Sequence, residues 1–242
     1  MGLFLILGNL VLKVFPMSRK DEEAKNARKL KRLKKKTDRK QNNRVILQRV
    51  IIACEGTVTE VNYFQNIFNE LIQNRGISKT SLVIAKHSHT DPKGVLNDLT
   101  DALKKDSDFE HKWIVIDRDK MRVNGGGHSS ENFNGAISSA EAQNINVAYS
   151  NPSFELWYLL HYEYRHTPID RDEVIKELKK YIPDYEKKSQ MVYKEVLPMQ
   201  KTAIVYAKRL IQYHSLHDKI LSPESDNPST TVYELVELLN KF

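Results

Sequence analysis

The chain has 242 residues, 40% of them hydrophobic, which is ample for one sizeable domain with an appendage. Its single cysteine, Cys54, excludes an internal disulfide and a cysteine-based zinc site, and implies a reducing, cytoplasmic setting. The net charge of +7 is concentrated in residues 19–44, with thirteen Lys/Arg against four Asp/Glu; the remainder carries 25 against 27, so the folded body is near neutral and the basic character is that of a tail.

In chain order, residues 1–16 are apolar, but the run is shorter than the roughly 20 residues that span a bilayer and Lys13 interrupts it. It lacks the basic start and small-residue cleavage site of an export signal. The expectation is an extension upstream of a start at Met17, with a peripheral apolar anchor as the alternative and no stable membrane span. Residues 17–44 predict a basic arm, helical or disordered. Such an arm adds affinity for phosphates without reading sequence, or simply solubilises.

An α/β domain is predicted over 45–167. Arg49 to Cys54 reads as a strand ending in Glu55-Gly56, and a helix follows with Tyr63/Phe64, Ile67/Phe68 and Leu71/Ile72 at helical spacing until Gly76. Thr57 and Glu60 have the spacing of a capping box, which gives Glu60 a structural role and ranks it lower as a ligand. Leu82-Val83-Ile84 is a short strand. Asp91-Pro92 then looks like a cap and first helical residue for a helix through Leu103. His87 and His89 have the spacing of a ligand pair, but without a third ligand nearby they read as loop residues.

Trp113-Ile114-Val115-Ile116 is a continuous apolar run that fits a central parallel strand, and it ends in Asp117-Arg118-Asp119. Open α/β sheets place their ligands at such carboxyl ends. Alternation along an extended chain points Asp117 and Asp119 to the same side, where two ionised carboxylates repel unless a cation lies between them; hard oxygen donors favour Mg²⁺ or Mn²⁺. The bland alternative is a pair of turn-capping aspartates.

Gly125-Gly126-Gly127 lacks the pattern of a triphosphate-binding loop and reads as a surface loop. Residues 131–143 predict a helix, Val147 to Tyr149 a fourth strand, and Ser150-Asn151-Pro152 a turn into an apolar helix over 154–162 that holds Glu155, Trp157 and His161. Four strands alternating with helices imply a mostly parallel, four-stranded sheet flanked by helices. From 168 to 242 the pattern is helical, around Val174, Ala203 to Tyr213 and Val232 to Leu239, and predicts a C-terminal helical cap.

Glu55-Gly56 after the first strand and Asp117-x-Asp119 after a later one resemble the toprim domain of topoisomerases, primases and certain nucleases. Cys54-Glu55-Gly56 with Thr59-Glu60 and Tyr63-Phe64, then Ile116 to Asp119, then Ser150-Asn151-Pro152-Ser153-Phe154-Glu155-Leu156-Trp157, resemble the RloB-like family of toprim proteins linked to restriction and abortive-infection genes. That resemblance implies a toprim-like fold and a metal-dependent nuclease acting on DNA or RNA in anti-phage defence beside an ATPase partner. Glu55, Asp117 and Asp119 would hold Mg²⁺ or Mn²⁺ and act in catalysis, Glu55 alternatively handling protons, with Glu60 a weaker metal ligand. Asn151 and Glu155 match the narrower family as substrate-binding candidates. Lys187 and Lys188 are candidates for phosphate contact, which a charged loop explains equally well.

Two other readings compete. A haloacid-dehalogenase-type phosphatase would use Asp117 and Asp119 as nucleophile and acid, but it wants Thr or Val where Met121 stands, and its motif on the first strand. A non-catalytic adaptor would bind nucleic acid through the basic arm, leaving the acids structural.

Overall fold

A computed structural model of the protein describes residues 4–7, 10–13, 28, 48–121, 126–218 and 221–242. The chain divides into residues 1–47 and 48–242. In the first unit β1 (Phe4–Leu7) and β2 (Leu10–Lys13) pair antiparallel, with Phe4 opposite Lys13. Apart from residue 28, the expected basic arm over 17–44 lies outside the described residues.

The second unit runs β3 (Val50–Cys54), α1 (Thr59–Arg75), β4 (Leu82–Ile84), α2 (Pro92–Lys105), β5 (His111–Asp117), α3 (Ser130–Ala142) and β6 (Asn146–Asn151). It continues with α4 (Glu155–Leu159), α5 (Arg171–Leu178), α6 (Val192–Val196), α7 (Gln200–Asp218), β7 (Ser229–Thr230) and α8 (Val232–Leu239). The sheet order is β4-β3-β5-β6-β7. β4, β3, β5 and β6 pair in parallel and β7 runs antiparallel to β6. The expected four-stranded sheet therefore has a fifth strand. At two residues β7 is too short to show alternation, and its place is set by tertiary bonds: Ser150 Oγ and Thr230 Oγ1 lie 3.0 Å apart, and Thr230 Oγ1 donates to the Tyr149 carbonyl at 2.9 Å.

Alternation along the central strands divides the apolar residues between two layers. Val50, Ile52, Cys54, Trp113 and Val115 pack with Phe64, Phe68, Trp157, Leu210 and Leu235 on one face. Ile51, Ala53, Ile114 and Ile116 pack with Leu99, Phe133 and Tyr149 on the other. Burial on both faces is why these strands read as unbroken apolar runs. The C-terminal helices share the first of these clusters with β3 and β5, so the expected cap is built into the core of the sheet.

Three helix starts follow local chemistry. The Asp91, Ser129 and Asp170 side chains accept backbone N–H groups of α2, α3 and α5. At α1, Val58 occupies the cap without a side-chain bond, so the expected Thr57–Glu60 capping box does not form. The helix over 154–162 is also shorter than expected. Its end tightens into turns, with the His161 and Tyr162 N–H groups donating to the Tyr158 and Leu159 carbonyls. Among the described residues no helix is long and apolar enough to cross a membrane.

Candidate functional site

β3 and β5 are neighbours with Cys54 opposite Val115, so both chains leave the sheet at one edge and bring Glu55 to Asp117. The Glu55 N–H donates to the Val115 carbonyl at 2.9 Å, and the Asp117 N–H donates back to Glu55 Oε2 at 3.0 Å. Glu55 Oε1 meets His128 Nε2 at 2.5 Å, and this bond raises the pKa of the imidazole above its usual value. The His128 N–H donates to the Asp119 carbonyl at 2.7 Å, and Arg118 Nη1 donates to the His128 carbonyl at 3.1 Å. Gly127 makes the close approach possible: it sits at φ 81°, and a Cβ there would run into the Lys120 carbonyl.

Asp117, Glu60, Glu155, Arg171, Lys187 and Lys188 line a cavity of about 260 Å³. Glu60 is buried, and its carboxylate fills the space in front of Gly56 where a Cβ would stand. Burial, with Glu155 and Glu55 nearby, raises its pKa to about 7. Asp117 is pushed well above the usual carboxylate range, first by burial and then by Glu60, Glu55 and Glu155. Its Oδ1 is buried with no hydrogen-bond partner among the described residues. Glu155 is treated differently: burial works to raise its pKa, but Lys187 at 3.0 Å, Ser153 Oγ at 2.7 Å and Arg171 bring it below the ordinary value.

β5 ends at Asp117, and Asp119, two residues on, lines a cavity of about 540 Å³ with Pro168, Ile169 and Asn227. What joins the two aspartates is Arg171. Its Nη1 pairs with Asp119 Oδ2 at 2.5 Å, and it lines both cavities. Although burial works to lower its pKa, Glu155, Asp117 and Asp119 hold the guanidinium above its usual value. Sequence reasoning missed Arg171. The available signal was electrostatic: directly after the Asp170 cap, a cation opposes the positive end of the helix dipole, so helix stability does not explain it.

The remaining candidates divide. Lys187 and Lys188 line the smaller cavity, as a phosphate-contact role requires. Glu155 serves the cavity by holding Lys187, since a carboxylate repels phosphate. Asn151 is fully buried, and its amide donates to the Pro223 and Glu224 carbonyls, which gives it a loop-holding place instead of one facing a substrate. His161 packs against Trp157, burial lowering its pKa to about 4. His87 and His89 do not converge: His87 Nδ1 lies 3.2 Å from the Cys54 carbonyl oxygen, and His89 Nδ1 pairs with Asp98 at 2.7 Å.

Among the described residues, no group of three or more His, Cys, Asp or Glu stands in an arrangement that could hold a metal ion. The donor set nonetheless suits a hard cation. Glu55, Glu60 and Glu155 lie near Asp117, Arg171 joins Asp119 to them, the permanent charges facing these acids are Arg171 and Lys187, and Asp117 Oδ1 is left unpartnered. The acids are engaged by protein groups, Glu55 by His128 and Asp119 by Arg171, so the set does not close around an ion as it stands.

Gly56→Ala tests whether Glu60 belongs to this group. The new methyl displaces only the far end of a flexible side chain, and Gly56 does not lie in the left-handed region, so the fold should stay intact. Any activity needing Glu60 in place should fall about tenfold or more, a small displacement of a positioned group being costly. Unchanged turnover would remove Glu60 from the site.

Compared with known proteins, residues 50–239 match the family model of the RloB-like protein. No curated protein and no solved structure matches the chain.

Proposed function

The chain belongs to the RloB-like protein family, and from its acidic centre we propose that it is a divalent-metal-dependent nuclease that hydrolyses phosphodiester bonds of DNA or RNA. The observation that carries this reading is the buried excess of carboxylates at the carboxyl edge of β3 and β5, with the Asp117 oxygen unpartnered. A structural core gains nothing from burying like charges together, whereas phosphoryl transfer at a divalent cation requires such a group. Glu55, Asp117 and Asp119, with Glu60, would hold Mg²⁺ or Mn²⁺. When bound, the ion supplies Lewis-acid polarisation of the phosphoryl oxygens.

The chain's own residues do the rest. Lys187 and Lys188 bring positive charge to the cavity and draw in the phosphate backbone. Glu155 fixes Lys187, and Glu55 holds the Asp117 backbone through its amide. Arg171 offsets the repulsion among the acids before a substrate arrives. Action in anti-phage defence beside an ATPase partner, and a toprim-like character of the sheet, belong to the same proposal and follow from the family resemblance.

The test is cleavage of labelled DNA and of total RNA by the purified protein with Mn²⁺, Mg²⁺ or EDTA, alone and with a candidate ATPase partner added. Cutting that requires the metal is the expected result, and the polymer cut fixes the substrate class. Binding of nucleic acid that EDTA leaves unchanged, with no cutting in any arm, would favour the second reading, a non-catalytic adaptor. The pairing of Asp119 with Arg171 is the observation on that side.

A further inference from the structure

Away from the acids, the segment before α5 and one face of α7 bring together rings and a cation. Tyr164 and His166 lie with ring centroids 5.8 Å apart and planes within 25° of parallel. The Arg209 guanidinium stands 4.1 Å over the Tyr164 ring, and Tyr213 closes on His166 at 5.2 Å. With Gln212 and Leu216 these residues line a cavity of about 380 Å³, and no carboxylate is among its lining. Arg209 and His166 are exposed, and Leu216 keeps 72% of its surface in water.

We infer that this cleft is a stacking site for an unpaired nucleobase of single-stranded nucleic acid. Tyr164 already carries His166 and Arg209, so the ring offered to a flat ligand is the exposed His166, and base–aromatic stacking needs only an exposed π-face. Arg209 excludes cationic guests and adds attraction for a phosphate next to the base. Gln212 offers both a donor and an acceptor to a base edge, where a lipid or aliphatic guest would leave that amide unpaired. Position also favours a strand: His166 is two residues from Pro168, which lines the larger cavity with Asp119 and Arg171. That separation is at most on the order of 7 Å along the backbone. The cleft and the cavity lined by Asp119 and Arg171 are therefore neighbours along the backbone, on one path that a strand can follow. The inference extends the nuclease reading to substrate binding, but stacking itself does not depend on cleavage.

The test separates bases from phosphates. Binding of a fluorescein-labelled 12-nucleotide single strand is compared with that of an abasic strand of equal length and charge, in EDTA, using the full chain. The wild type should favour the base-bearing strand by about tenfold or more, as one stacked base implies. His166→Ala and Arg209→Gln, both at exposed positions, should reduce that ratio at least threefold each, with melting temperatures unchanged. Tyr213→Leu should reduce it further and Tyr213→Phe should restore it. A wild-type ratio near one, or a ratio that all the variants keep, overturns the stacking site. Because no metal is present, the nuclease reading fails or stands separately, in the cleavage assay.

Discussion

Asp117→Asn is expected to lower metal-dependent strand cleavage by about 10³-fold while raising the melting temperature of the metal-free protein. The loss follows from removing a charged oxygen donor at the centre of the acidic group, a change that costs about 4 kcal/mol of barrier when it falls on a developing charge. The gain follows from the surroundings: the wild-type carboxylate is buried beside Glu60, Glu55 and Glu155, and Oδ1 has no partner. An amide of the same shape carries no charge and can donate to those neighbours. About 1 kcal/mol of relief corresponds to roughly 2–4 °C in a unit of this size.

The sign with pH is fixed by the direction of the shift. A carboxyl whose folded pKa lies above its unfolded value costs stability at neutral pH, and the cost disappears as pH falls towards the ordinary value of 3.8. The stability difference between variant and wild type should therefore shrink on acidification. Calorimetric melts in EDTA between pH 7 and pH 4, with cleavage assays on the same samples, check both halves. A variant that cuts normally removes Asp117 from the chemistry, and one that melts lower than wild type shows that its carboxylate is not under repulsion.

The second large effect is expected at Arg171. Arg171→Met keeps much of the aliphatic stem and removes the cation that Asp117, Asp119 and Glu155 share. Breaking a buried pair on one side typically costs 3–5 kcal/mol. The Arg171 side chain keeps 26% of its surface in water, which reduces the expected loss to about 2–4 kcal/mol. Mg²⁺ or Mn²⁺ should then restore more stability to the variant than it adds to the wild type, because the ion and the guanidinium answer the same carboxylates. Thermal melts of both proteins across a metal titration provide the measurement. Equal upward shifts would mean that the ion and Arg171 act at different places.

What the sequence revealed and what it hid follow from how local each signal is. Glu55 and Asp117 were legible because each follows an apolar strand run, and parallel pairing of those strands brings the two ends together without further information. Glu60 was misread because Thr57-x-x-Glu60 satisfies a local helix-start pattern, whereas the actual start at Thr59 turns the carboxylate inward. Asp119 follows from the same strand end, two residues past Asp117, and the two carboxylates share Arg171. Arg171 lies 52 residues from Asp119, and no periodicity spans such a distance. Asn151 was located at the right edge of the sheet, but its partners, the carbonyls of Pro223 and Glu224, come from more than 70 residues later.

The order of those pieces along the chain has a consequence for biosynthesis. Glu55, Glu60, Asp117 and Asp119 all leave the ribosome before Arg171 and Lys187 have been made, so vectorial synthesis delivers the repulsive charges first and their compensation last. β7, which closes the sheet against β6, and α8, which completes the shared core, emerge later still. A chain stalled or cleaved before its final third thus keeps its acids without Arg171 and Lys187, and its central strands without the C-terminal helices of their shared core. The acidic centre is therefore balanced only once the chain has been made past Lys187, well after its first acids.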